Sequence, residues 1–214
     1  AVAITYDGGG GQGICRVVGY TSATQVDIEV LQPFKGTIGT EDWQEGEWSD
    51  WRGWPSAVSL ADGRLWWSGE DRVWGSVSDD YSSFNEDTEG DSGPILRSIA
   101  TGGVNTAHWI LGLDQLLFGT DGAVTRGRSS SLDEPLTPTN LSFKDAATFG
   151  SAPITPVWVD AEGMFVGRDE TTIFKLARGD QGDYEAETLS KIRTEMFSSG
   201  VRQMAVQRRP DTRV

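Results

Sequence analysis

Histidine and cysteine are almost missing from this sequence: among 214 residues there is one of each, His108 and Cys15. A lone cysteine excludes an intrachain disulfide framework. Ile14-Cys15-Arg16-Val17 places it in a strand-like run, as a buried structural thiol. A Ser-His-Asp triad or a histidine-built zinc centre would have to use His108. That residue stands beside Trp109 in an apolar run, where a hydrogen-bonded core or edge histidine is the plainer reading. Positive charge is scarce too: 18 Lys+Arg against 32 Asp+Glu leave a net charge of −14. Such a surface repels nucleic acid and anionic membranes. No apolar run reaches the ~18 residues of a membrane-spanning helix. No signal-peptide pattern precedes the first strand. Gly8, Gly10 and Gly13 satisfy Gly-x-Gly-x-x-Gly, but the loop runs into β-branched Ile14-Cys-Arg-Val-Val instead of a helix. It therefore reads as a flexible loop, not a pyrophosphate cradle.

What is present is glycine and tryptophan: 27 glycines, 8 prolines and 10% aromatic residues suit many short strands joined by tight turns. Residues 43–69 hold six of the nine tryptophans, and their second half states a pattern that returns twice. An apolar strand, an acidic turn, a second apolar strand and a glycine occupy residues 58–69, 108–119 and 157–167. The closing glycines, Gly69, Gly119 and Gly167, are 50 and 48 residues apart. A period of that size is the mark of β-propeller blades of about four strands each. The expected fold is all-β, a partial propeller of about three blades and the start of a fourth, behind part of a small β module.

In chain order, residues 1–46 read as the C-terminal part of that module plus a linker. Residues 14–20 and 24–31 form a hairpin, with Val26, Ile28 and Val30 alternating onto a core face. Residues 37–46 are polar and read as the linker. Blades follow at about 47–93, 94–150 and 151–190, with the fourth opening in 191–214 through the strand 200–207. Strand 95–99 is assigned to the second blade, and at most a short helix lies near 188–197. Blade packing assigns Trp66, Trp67, Trp109, Phe118, Trp158 and Phe165 to the layers between blades. The start at Ala1 without methionine and the stop at Val214 in mid-pattern suggest a piece of a longer polypeptide.

Four surface features invite a functional reading. Trp43, Trp48, Trp51 and Trp54 cluster in the linker-like segment. They either stack carbohydrate or, more plainly, pack the first module onto the first blade. Asp79, Asp80, Glu86, Asp87, Glu89 and Asp91 form an acidic loop whose spacing does not fit an EF-hand; a solvated loop is the default. Ser76-Val-Ser-Asp-Asp-Tyr-Ser-Ser-Phe84 looks like a sialidase-type Asp box but lacks the required glycine. Residues 191–214 carry 6 bases and 2 acids, against 12 bases and 30 acids before them. This basic end is either a docking patch or the solvated face of another strand pair. Asn140-Leu-Ser142 fits the glycosylation sequon by chance.

One resemblance covers nearly the whole chain. Glu45-Gly-Glu-Trp-Ser-Asp-Trp-Arg-Gly-Trp-Pro-Ser-Ala-Val58, Gly63-Arg-Leu-Trp-Trp-Ser-Gly69 and Val73-Trp-Gly-Ser76 resemble tail proteins of short-tailed bacteriophages. So do residues 128–140, Phe149-Gly-Ser151 and Met204-Ala-Val-Gln-Arg-Arg-Pro-Asp-Thr-Arg213. The family is the tail tubular protein B, or tail nozzle, group. The resemblance implies a structural virion protein that carries a propeller and assembles with itself in a hexameric ring. It would sit in the tail below the portal and the adaptor, tail tubular protein A, among other tail proteins. Genomic DNA would pass through its channel without specific binding. The family has no catalytic motif to carry over, so no catalytic, metal or cofactor residue is expected. Arg202, Arg208, Arg209 and Arg213 become candidate contacts to an acidic neighbouring subunit. A carbohydrate-binding tail adhesin and a propeller glycosidase remain the alternatives; the latter needs a cleft with two carboxylates.

Overall fold

The computed structural model describes residues 3–7, 12–41, 43–86, 88–101, 106–129, 134–179, 184–192, 194–210, 212 and 214. Those residues form an all-β protein of four antiparallel sheets, each of four strands. Helix among them is confined to two 3-10 turns, Ser190–Ile192 and Thr194–Phe197. The chain divides into two compact units, Ala1–Trp54 and Pro55–Val214.

In the first unit, β1 (Ala3–Asp7), β2 (Gln12–Ser22), β3 (Gln25–Gln32) and β4 (Trp43–Glu45) pair in the order β3-β2-β1-β4. The hairpin read from the sequence is there, as β2 and β3, but its half-buried face is not. All of β3, an edge strand, is exposed, Val26, Ile28 and Val30 included, with no cover from the described residues. Cys15 opposite Val30 is buried, as expected. The linker expected over 37–46 contains β4, which pairs with β1. Beyond it, Ser49 and Gly53 exchange backbone hydrogen bonds of 3.2 and 2.8 Å. Gly53, with φ of 87°, supplies the left-handed conformation that closes this small loop. These contacts move the boundary from residue 46 to Trp54. Residues 8–11, most of the glycine-rich loop, lie outside the described residues.

The second unit is three consecutive meanders of blade form. The first joins β5 (Ala57–Ala61), β6 (Arg64–Gly69), β7 (Arg72–Gly75) and β8 (Ile95–Ser98). The second joins β9 (Ala107–Gly112), β10 (Leu116–Thr120), β11 (Val124–Arg128) and β12 (Ser142–Ala147). The third joins β13 (Val157–Val159), β14 (Glu162–Val166), β15 (Ile173–Arg178) and β16 (Tyr184–Thr188). Strand 95–99, expected in the second blade, closes the first: Ile95 pairs with Gly75 and Arg97 with Val73. Residues 201–206 form no strand, although a strand was expected over 200–207. The Asp62-Gly63 turn between β5 and β6 has φ of 50° and 67°, the left-handed pair that a tight hairpin demands.

Cores lie between the sheets. Trp66, Val73, Ile95 and Ile99 meet Ala107, Ile110, Leu116 and Phe118 of the second sheet. On the other face of that sheet, Trp109, Leu111, Leu117 and Val124 meet Phe165, Phe174, Leu176 and Tyr184. Two tryptophans do not join these layers as expected, Trp67 through strand alternation and Trp158 through its place on an edge strand. Trp67 points opposite to Trp66, onto the face turned away from the second sheet, and Trp158 is exposed on edge strand β13. Within each sheet one ring lies across a glycine. A Cβ on Gly75 would stand 2.8 Å from Trp66, on Gly119 1.9 Å from Trp109, and on Gly167 2.7 Å from Phe174. Gly119→Ala is therefore expected to lower unfolding free energy by about 3 kcal/mol through overpacking. Urea denaturation of the variant measures it, and an unchanged midpoint would show that the Trp109 ring shifts freely.

Candidate functional surfaces

Backbone hydrogen bonds tie each sheet to the chain that follows it. The carbonyl of Glu70, in the β6–β7 turn, accepts from the Ala107 N–H at 2.7 Å as β9 begins. Fifty residues on, the Thr120 carbonyl accepts from Ser151 N–H at 2.8 Å; fifty further, that of Glu170 accepts from Val201 N–H at 2.7 Å. Glu70 and Glu170 both hold left-handed φ, 50° and 58°, which turns their carbonyls outward from the turn. Sequence reading missed these joints, because the main chain makes them.

A buried arginine organises the acidic loop. Arg64 opens β6 and donates to the carbonyls of Ser76 (2.5 Å), Gly93 (2.6 Å) and Asp91 (2.7 Å). The fork holds the loop by its backbone and leaves Asp79, Asp80, Glu86, Glu89 and Asp91 exposed. Asp87 lies outside the described residues. Among the described residues no three His, Cys, Asp or Glu side chains converge as metal ligands. A single charge inside the apolar run Arg64-Leu-Trp-Trp was the available clue to this clamp.

His108 is hydrogen-bonded, as its sequence context suggests: Nε2 stands 2.7 Å from Asp121 Oδ1. That bond, with a further one from Thr106 and the charge of Arg168, holds the Asp121 carboxyl below its ordinary range despite partial burial. The group clamps the β10–β11 turn of the second sheet to the start of β9. A second polar cluster lines a cleft of about 290 Å³ with Asp62, Asp114, Arg128 and Glu134. There Arg178 Nη1 holds Asp114 at 2.8 Å, while the Asp114 N–H donates to the Tyr184 hydroxyl at 3.3 Å. Burial pushes the Tyr184 phenol above its usual range. These contacts make Asp114 a link between the second and third sheets.

The remaining candidates are on the surface. In the first unit Trp43, Trp51 and Trp54 are 60%, 89% and 58% exposed, and Trp48 is partly buried. Trp54 Nε1 donates to Asp50 Oδ1 at 2.9 Å, and Arg52 grips Glu45 Oε2 through Nε and Nη2 at 3.1 and 3.0 Å. In the second unit Arg202, Arg208 and Arg209 are exposed, Arg202 standing 3.7 Å from Glu170. Arg213 lies outside the described residues. The sequence did not reveal that both end sheets leave apolar faces open. Val58 and Leu60 are 51% and 65% exposed on the first, and Met196 is 71% exposed beside the third.

The second unit is thus a row of blade-form sheets with open apolar ends, in which Arg64, the His108–Asp121 pair and the Arg178–Asp114 pair tie turns and sheets together. No protein-family model matches the chain, and no curated protein matches it in sequence.

Two variants probe these clamps. A carboxyl held low in the folded state stabilises above the unfolded value of about 3.9 and loses that contribution as pH falls through the folded value. Asp121→Asn is therefore expected to flatten the acid limb of stability. Thermal melts from pH 5 to pH 2 would show a smaller loss than in the unaltered protein. Arg64→Ala leaves three inward carbonyls without their donor and should destabilise by about 3 kcal/mol, with faster amide exchange in residues 76–93.

Proposed function

We propose that this chain is part of a structural protein of a bacteriophage tail, a nozzle-type subunit that surrounds a DNA channel in a self-assembled ring. The observation that carries this reading is the resemblance of residues 45–76, 128–140 and 204–213 to the tail nozzle group. The fold supports it in a general way. Open apolar faces at both ends of the sheet row suit a subunit completed by neighbouring protein. A net charge of −14 suits a conduit whose wall must not hold phosphates. In this role the protein resides in the virion tail, contacts the adaptor and other tail proteins, and performs no catalysis. The ring is taken as a hexamer. Exposed Arg208 and Arg209 in the basic end are its proposed contacts with an acidic neighbour.

Negative-stain microscopy of the protein from purified particles is expected to show rings with a central channel; single subunits alone would reject the reading. The double variant Arg208→Glu/Arg209→Glu should shift native mass spectra toward smaller assemblies. An unchanged ring would remove those arginines from the interface.

Exposed Trp43, Trp51 and Trp54 favour one second reading, carbohydrate recognition by stacking on indole faces. On a glycan array it predicts binding by the protein and loss of that binding in Trp51→Ala. No binding at all would leave the structural role alone.

A further inference from the structure

The strand β3 is an open sheet edge. It stands outermost in the order β3-β2-β1-β4, and among the described residues β2 is its one hydrogen-bonded neighbour. In an antiparallel pair, alternate residues aim both N–H and C=O away from the partner strand. The outer side of β3 is therefore a row of main-chain donors and acceptors, a template for another strand. The irregularities of the β2–β3 pair fall at Val18, Thr21 and Leu31, which leaves Gln25–Val30 regular. No proline and no lysine stands within Gln25–Gln32 to blunt the edge.

The side chains of β3 form two stripes. Val30 lies opposite Cys15, Ile28 opposite Val17 and Val26 opposite Tyr20, so one face is apolar, and its β3 half is exposed. Asp27 and Glu29 occupy the other face. There the Thr21 hydroxyl donates to Asp27 Oδ2 at 3.3 Å, and Arg16 Nη1 lies 3.5 Å from Glu29 Oε2. A strand added along the edge sets its own side chains beside the two stripes in turn.

That arrangement selects the partner. A second copy of β3 fits badly: antiparallel pairing centred on Ile28 brings Asp27 of each copy beside Glu29 of the other. Parallel pairing in register brings each carboxylate beside its own counterpart. Like charges directly opposite destabilise a strand pair, and a net charge of −14 on each copy adds long-range repulsion. The complementary strand has β-branched apolar residues beside Val26, Ile28 and Val30, and Lys or Arg beside Asp27 and Glu29.

We propose that the outer edge of β3 is a docking site for an extended segment of another protein, in which apolar β-branched residues alternate with lysine or arginine. Main-chain hydrogen bonds make the segment a fifth strand of this sheet, and the two stripes fix its register. A slip of one residue would set every base against a valine or isoleucine, and every apolar residue against a carboxylate. The inference is independent of the ring, and its test does not involve one.

Fluorescence anisotropy with three labelled six-residue peptides tests it: alternating lysine and valine, the same residues in two blocks, and alternating glutamate and valine. The alternating lysine peptide is expected to bind about tenfold more tightly than either other peptide, as several favourable cross-strand pairs together would give. It should also slow amide hydrogen exchange over residues 25–30, which attraction to the acidic body alone would not do. In Asp27→Lys/Glu29→Lys, two exposed changes, preference should pass to the glutamate peptide. Equal binding of the alternating and block peptides, or unchanged exchange over residues 25–30, would overturn the proposal. Slowed exchange over these residues that appears with rising protein concentration and no peptide would also overturn it, and would assign the edge to a second copy.

Discussion

Burial of both faces of the second sheet is the constraint on which the larger unit rests. Every residue of β10, Leu116–Thr120, is buried, with Leu116 and Phe118 turned to the first sheet and Leu117 to the third. A five-residue strand enclosed on both sides has no polar face to give away, so its neighbours must supply apolar partners in two directions. The first sheet answers with Trp66 and Val73, the third with Phe165 and Leu176. Glycine then sets how closely strands carry these rings: Trp109 lies where a side chain on Gly119 would be. The recurring glycines Gly119 and Gly167 are thus packing requirements of a neighbouring aromatic ring, while in the first sheet that role falls to Gly75 on β7.

Much of this was legible before any coordinates. The 50-residue spacing, the Asp62-Gly63 turn and the apolar strands around Trp66, Trp109 and Phe165 all depend on local chemistry, which sequence displays. Less legible was anything that depends on a distant partner. Ile95 belongs to the first sheet because Gly75 lies beside it, and no property of residues 95–98 announces that partner. Alternation in β3 correctly groups Val26, Ile28 and Val30, but whether anything covers that group is a fact about the rest of the molecule. Trp66 and Trp67 make the same point in two adjacent residues: one is enclosed and its neighbour faces away from the second sheet.

The charged groups show a division of labour that composition alone hides. Arg64 is buried and donates to main-chain carbonyls, whereas the carboxylates of the loop it restrains remain exposed. Asp121 and Asp114 are spent on neighbouring strands through His108 and Arg178. The acidic loop is therefore a surface feature, and the buried Arg64 beneath it has fixed main-chain partners. A protein built this way keeps its field on the outside.

The joints between sheets are written in the main chain, and that has a consequence for descent. Glu70, Thr120 and Glu170 do the same work with two different side chains, since only their carbonyls take part. Selection on such a joint acts on the shape of a turn and leaves its lettering open. Copies of the unit can then drift apart in sequence while still stacking in register, and kinship among them is recorded in spacing more durably than in identity.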